Sequence, residues 1–266
     1  MSVTPHPWFR STLGEACGDL EDLAELYHDA SKLQPVLVAH QGAGIARLTS
    51  SPALREASRH PVRSNRQLPL VRLPASRTPE ISLWSALRRR RSTPPSGRSR
   101  LTLAALAAML DAGYGTSSHG RRTVPSGGAL YPLELYVAAA CVDDLDEGVF
   151  HFDPLRDVLE VLDRGPVGAL LESATPMPEL VADATAVVIL TAVFWRTRFK
   201  YGLRGYRFAL LEAGHAVQNI LLAAAALEIT ALPLGGTYDE RLEEMVGVDG
   251  VDESAVYAVA IGGDAG

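Results

Sequence analysis

Residues 200–236, KYGLRGYRFALLEAGHAVQNILLAAAALEITALPLGG, limit what this chain can fold into more than any other stretch. An ionisable pair, Lys200-Tyr201, is followed by a glycine-spaced basic turn (Gly202, Arg204, Gly205, Arg207) and then by a run of Ala and Leu with no proline before Pro233. The run predicts a helix over 208–229. Leu210, Leu211, Val217, Ile220, Leu221, Leu222 and Leu227 point in most directions, the pattern of a helix buried all round. Glu212, His215 and Asn219, at i, i+3 and i+7, form a polar seam along it. Buried polar groups need partners, so the seam either satisfies itself or a subunit interface, or serves chemistry. A rod of this length needs a large surface to pack on.

The 266 residues are enough for one large domain or two smaller ones, and a net charge of −6 argues against a generally basic, nucleic-acid-binding surface. Cys17 and Cys141 form no C-x-x-C motif and no disulfide framework, which predicts a reducing, cytoplasmic setting. The start, MSVTPHPWFR, lacks the charged lead and apolar core of a secretory signal. Glu212, Gln218, Asn219 and Glu228 argue against a membrane span in the long helix.

Two regions are expected: an arm over 1–79 and a main domain over 80–266. In the arm, the spacing of Leu20, Leu23, Ala24, Leu26 and Tyr27 predicts a helix over 20–32 with Asp19 as N-cap. Gly42 and Gly44 follow an apolar run, but Arg47 stands where a dinucleotide fingerprint has its third glycine, so a plain turn is expected there. Pro52, Pro61, Pro69, Pro74 and Pro79 then suggest an extended segment wrapping the main body, with partner or leader-peptide contacts as its possible role.

The main domain opens with a short helix over 81–88 and the run Arg88-Arg89-Arg90-Arg91-Ser92-Thr93. Arginine next to a hydroxyl suits a phosphate, since a planar guanidinium fork and an O–H both donate; a merely solvated basic face is the bland alternative. A helix over 101–113, with Thr102 or Ser99 at its start and Gly113 at its end, leads to Pro125-Ser126-Gly127-Gly128-Ala129-Leu130-Tyr131-Pro132. Glycines there let the backbone approach a flat or anionic ligand, or simply make a tight turn into a strand over 135–142. A hairpin (148–152, 158–162), a helix over 167–173, a central strand over 184–195 carrying Arg196, Arg198, Lys200 and Tyr201 at its end, a helix over 239–246 and a strand over 255–261 complete the order. Helices mix with hairpin-connected strands, so the class is α+β, with a mostly antiparallel sheet flanked by helices. No G-x-S-x-G elbow and no ligand-like pairing of the seven histidines supports a hydrolase or a metal site.

Arg90-Arg91-Ser92, the P-S-G-G-A-L-Y-P block, Lys200-Tyr201, E-A-G-H-x-x-Q-N and Pro233-Leu234-Gly235-Gly236, in this order and spacing, resemble the nitroreductase superfamily. More narrowly they resemble the SagB/McbC-type azoline dehydrogenases, which form thiazoles and oxazoles in peptide natural products; Tyr27-His28 and Ser31-Lys32 also look like that subgroup's N-terminal segment. The resemblance implies FMN at the interface of an intertwined homodimer whose contact is built largely by the long helix. It implies Arg90, Arg91 and Ser92 at the FMN phosphate and ribityl end, Pro125, Ser126, Gly127 and Gly128 lining the ring, Leu234, Gly235 and Gly236 at its reactive edge, and Lys200 and Tyr201 as the catalytic pair. It implies as partners an azoline-containing peptide and the cyclodehydratase subunits of a synthetase. Pro94 and the Gly262-Gly263-Asp264 end stand where many relatives carry further basic phosphate ligands; Arg91, Arg98, Arg121 or Arg122 are candidates to compensate.

Aromatising an azoline removes one C–H as a proton and another as hydride, so a base is needed. A phenol becomes a usable base where a neighbouring ammonium stabilises its phenolate, which assigns Lys200 and Tyr201 jointly as the proton-transfer unit without choosing between them. An NAD(P)H-dependent nitroreductase or flavin reductase, and a non-catalytic flavin-fold scaffold within a synthetase, are the competing expectations.

Overall fold

The computed structural model describes residues 23–33, 43–57, 68–75, 79–97, 99–116 and 121–264. Cys17, Asp19, Gly42, Arg98 and His119 lie outside the described residues.

Seven strands form one sheet in the order β1-β4-β3-β2-β5-β7-β6, and every pairing is antiparallel. They are β1 Leu70–Arg72, β2 Leu133–Ala139, β3 Gly148–Asp153, β4 Val158–Arg164, β5 Ala186–Ala192, β6 Ile229–Leu234 and β7 Ser254–Asp264. The described helices are α1 Leu23–Ala30, α2 Ala43–Ser50, α3 Pro52–Ala57, α4 Leu83–Arg89, α5 Leu103–Tyr114, α6 Gly168–Ser173, α7 Trp195–Tyr201, α8 Arg204–Ala226 and α9 Asp239–Val246.

β2 and β5 are buried at every position, although antiparallel sheets commonly leave one face wet. The cause is a three-layer build. Leu133, Leu135, Val137, Val188 and Leu190 point to the face covered by α5 and α8. Tyr136, Ala138, Val187 and Ile189 point to the face covered by α6 and α9. Continuous apolar runs such as AVVILTA follow from that double burial.

Several expectations are corrected. The apolar run after β5 does not continue as strand to residue 195: Phe194 turns to helical backbone and α7 begins at Trp195. α8 is buried along one face only, through Gly205, Ala209, Glu212, Ala213, Ala216, Val217, Ile220, Leu221 and Ala224, while Leu211 is 61% exposed. Its seam therefore splits, with Glu212 turned inward, Asn219 half-buried and His215 in solvent. By length and composition α8 is long enough to cross a membrane, but its packing is that of a core helix. Gly44 belongs to α2 rather than to a plain turn, and residues 70–72 are an edge strand rather than linker. Residues 229–234 are the opposite edge strand, where Pro233 is tolerated.

Pairing register fixes which loops meet. Leu133 lies opposite Ala192, Ala192 opposite Ser254, and Leu234 opposite Ala258. The residues before β2, those after β5 and those after β6 therefore emerge at one end of the sheet. The other end holds the start of β6, where the Thr93 N–H donates to the Ala231 carbonyl at 3.0 Å.

Candidate functional site

The turn before β2 is a 3-10 segment, Gly127–Ala129, in a left-handed stretch: φ is 69° at Gly128, 53° at Ala129 and 43° at Tyr131. Two non-glycine residues held there cost on the order of 1–2 kcal/mol each, so surrounding contacts must impose the shape. Ser126 Oγ accepts from the Tyr131 N–H at 2.9 Å, and Tyr131 Oη accepts from the Arg122 N–H at 3.3 Å. The buried Arg122 guanidinium lies over the rings of Tyr114 and Tyr131, 5.4 and 5.7 Å from their centroids.

Lys200 and Tyr201 converge on this turn. A Cβ placed on Gly128 would sit 2.5 Å from Lys200 Nζ and 2.6 Å from Tyr201 Oη, and one on Gly127 would meet the Phe208 ring at 3.0 Å. A side chain at Gly128, whose φ of 69° also favours glycine, would push the two tips aside. The Lys200 ammonium stands 5.0 Å from the Tyr201 ring centroid, and Tyr201 packs edge-on against Phe208 at 5.0 Å. The pair sits at the end of α7, which stops at Gly202 (φ 58°) and folds back on α8; a Cβ on Gly205 would come within 2.7 Å of the Thr197–Arg198 backbone.

Behind the turn is a buried carboxyl. Tyr114 Oη accepts from the Leu133 N–H at 3.2 Å and donates to Glu212 Oε1 at 2.7 Å. Glu212 Oε2 has no hydrogen-bond partner among the described residues. Burial pushes Glu212 up to about 7, against the opposing pull of the Ser126 and Tyr114 hydroxyls and the Arg122 charge. A neutral carboxyl carries its own donor and is far cheaper to bury than a carboxylate. Because the folded value lies above the unfolded value of 4.5, this stabilisation is complete below about pH 4.5 and lost as pH rises through about 7. The loss amounts to about 3 kcal/mol. Thermal melts between pH 5 and pH 8 are expected to show it, and Glu212→Gln is expected to flatten the slope and raise stability at pH 8. An unchanged slope in that variant would assign the pH dependence to another group.

The second cluster lies along β6. Arg90 caps α4 and its guanidinium donates to Ser92 Oγ at 3.3 Å, while Arg91 folds back on the Arg88 and Arg90 carbonyls at 2.7 and 2.9 Å. Gly235 and Gly236, past the far end of β6, are exposed, and a Cβ on either would meet nothing within 4 Å. Four residues of chain, from Ala231 beside Thr93 to Gly235, roughly 13 Å at about 3.3 Å per residue, lie between the segment that carries the guanidinium and hydroxyl and the open glycine backbone. That donor set suits a molecule with a phosphate at one end and a flat ring at the other. The Leu234 side chain is buried in the core, so only its backbone is available to a ligand.

The structure thus brings Pro125–Gly128 and Lys200–Tyr201 together and sets Gly235 and Gly236 at the same sheet end. Arg90, Arg91 and Ser92 lie by the opposite end. Of the candidate compensating arginines, Arg122 is taken up by its tyrosine cage and by Thr116 Oγ1 at 2.9 Å. No larger residue fits without displacement at the end of β7: a Cβ on Gly263 would sit 2.5 Å from Ser99 Oγ and 2.6 Å from the Arg100 carbonyl oxygen. Sequence reasoning overlooked the buried His151, whose ring nitrogens meet Glu160 at 3.0 Å and Glu134 at 3.1 Å. Arg196, at the start of α7, pairs with Glu134 at 2.5 Å and reaches the Tyr131 carbonyl at 3.4 Å, tying the sheet to the turn. Among the described residues no cluster of three or more His, Cys, Asp or Glu is arranged to hold a metal.

Protein MJ1384 of Methanocaldococcus jannaschii, whose name places it among nitroreductases, is 39% identical over 169 residues, covering 63% of this chain and 85% of that protein. The microcin B17-processing protein McbC of Escherichia coli is 26% identical over 181 residues, covering 64% of this chain and 66% of McbC, just under two thirds of its length. Among solved structures, a chain of the E. coli microcin synthetase McbBCD complex with truncated pro-MccB17 superposes with a TM-score of 0.58 at 23% identity, over 94% of this chain and 99% of that one, a likeness of fold. The family model described as Nitroreductase family matches residues 87–263, which hold the sheet from β2 to β7, both clusters and the long helix; the chain belongs to the nitroreductase family.

Proposed function

We propose that this protein is an FMN-dependent dehydrogenase that oxidises azoline rings of a peptide to azoles. The observation that carries the reading is the convergence of an ammonium and a phenol on a glycine turn, Lys200 Nζ and Tyr201 Oη on Gly128. Bound FMN would accept the hydride. Lys200 and Tyr201 together take the proton from the azoline carbon, the ammonium stabilising the phenolate that proton transfer requires. Arg90 and Ser92 would hold the FMN phosphate, and the backbone of Gly235 and Gly236 and the Gly127-Gly128 turn would hold its ring.

The reading includes a homodimer in which a second copy completes each site. The open face of α8 is where the second copy would sit. It exposes Leu210 and Leu211 and borders an apolar groove of about 440 Å³ lined by Ile81, Leu83, Leu222 and Leu227. The relation to McbC and the fold shared with a chain of its synthetase complex support a peptide substrate and cyclodehydratase partners. Free Cys141 accords with a reducing cytoplasm.

The 39% identity to MJ1384 favours a second reading, an NAD(P)H-dependent nitroreductase or flavin reductase. Anaerobic mixing separates the two: an azoline-containing peptide is expected to bleach the FMN-loaded protein, whereas bleaching by NAD(P)H alone would support the reductase.

A further inference from the structure

α7, which carries Lys200 and Tyr201, has seven residues, too few to hold helical shape without tertiary contacts. Its inner side is fixed by Thr197, whose Oγ1 donates to the Gly205 carbonyl at 2.9 Å. Its outer side, and the turn beyond it, meet residues far away in sequence.

Arg204 and Arg207, in the first turn of α8, reach the C-terminal end of α1. The Arg207 Nε–H donates to Ser31 Oγ at 2.7 Å, a second Arg207 N–H donates to the His28 carbonyl, and Arg204 donates to the Ser31 carbonyl at 3.2 Å. Two guanidiniums thus meet the carbonyl end of a helix, where orphan acceptors and the negative pole of the helix dipole favour cations. Ser31 is buried and also donates to the Tyr27 carbonyl at 2.6 Å. Tyr27 Oη donates to the Leu203 carbonyl at 3.0 Å, and the Tyr27 ring packs edge-on against Tyr206, which stacks on Phe194 at 4.4 Å. α2 in turn seats Gly44 on α7: a Cβ there would run into the Phe199 carbonyl and lie 2.7 Å from Lys200 Cα.

We propose that α1 and α2 form an intramolecular clamp on the chain that flanks the Lys200–Tyr201 turn, holding the pair against Gly128, with Tyr27, Ser31, Gly44, Arg204 and Arg207 as positioning residues. The proposal rests on the reading of Lys200 and Tyr201 as the proton-transfer unit. It gives the N-terminal arm a role in proton transfer within its own chain.

Amide hydrogen exchange and steady-state kinetics on the full-length, FMN-loaded protein test it, using Ser31→Ala, Gly44→Ala and the milder Tyr27→Phe. Exchange of amides 199–203 is expected to quicken about tenfold in Ser31→Ala and Gly44→Ala, with strands β2 and β5 unaffected and FMN retained. Azole formation is expected to fall in kcat with KM unchanged, and Arg207→Lys is expected to be milder than Arg207→Ala because it keeps a cation at the α1 terminus. Tyr27→Phe removes one hydroxyl and nothing else, so it preserves the test if the others fold poorly. Unchanged exchange at 199–203 in all three variants would overturn the clamp, as would faster exchange with undiminished kcat. If the unsubstituted protein forms no azole, the azoline reading fails, and faster local exchange still supports the clamp.

Discussion

Lys200→Ala and Tyr201→Phe are each expected to slow azoline oxidation by about 10²–10⁴-fold, the usual worth of a positioned proton-transfer group, while leaving FMN bound. The groups assigned to the phosphate, Arg90 and Ser92, lie by the opposite end of the sheet, so neither substitution touches them. On the proposed reading the pair acts as one unit: Lys200 Nζ stands 5.0 Å from the Tyr201 ring centroid and both tips meet Gly128. The double variant should therefore be little worse than the poorer single variant, because groups serving one proton are not additive. Turnover with peptide substrate, measured beside flavin absorbance, checks this. Undiminished azole formation in both variants would remove the pair from the mechanism.

His151→Ala is expected to cost about 3–5 kcal/mol of folding stability, a large part of the roughly 5–15 kcal/mol a domain has. His151 sits between Glu134 and Glu160, and all three side chains are 2% exposed. Burial alone would lower the His151 pKa, but hydrogen bonds and charge from Glu134 and Glu160 outweigh it and raise it. Removing the ring leaves two buried carboxylates facing a void, with Arg196 paired to Glu134 and Arg156 to Glu160. Because the folded pKa is raised, the stabilisation is complete below about 6.5 and lost as pH rises through the raised value, the same sign as for Glu212. Denaturant titrations at pH 6 should show the full loss in His151→Ala and a smaller one in His151→Gln, which keeps a hydrogen-bonding amide. Equal losses at pH 6 and pH 9 would mean that packing, not charge, holds this site.

What the sequence revealed of the fold depended on whether local pattern or distant pairing decides an element. α9 was legible to the residue because its acidic start and the left-handed Gly247 mark both ends. The continuous run 184–195 announced a buried strand, but nothing local marks where β5 stops, and its extension swallowed the short helix that carries the key pair. β6 was obscured by Pro233, which an edge strand accepts and a central one does not. The polar seam of α8 was visible, but which member turns inward depends on the face the sheet covers, so Glu212 could not be told from His215. Glu134, His151 and Glu160 occupy neighbouring strands and meet only through register. Tyr27, His28 and Ser31 stood out as a motif, yet their partners lie more than 170 positions away, beyond the reach of any spacing rule.

The most direct measurement of the central claim is the mass of a cyclised, azoline-containing peptide after incubation with the FMN-loaded protein in air. The account predicts a product lighter by two hydrogens per oxidised ring, absent with Lys200→Ala. A peptide of unchanged mass, from a protein that holds FMN and consumes NAD(P)H, would contradict it.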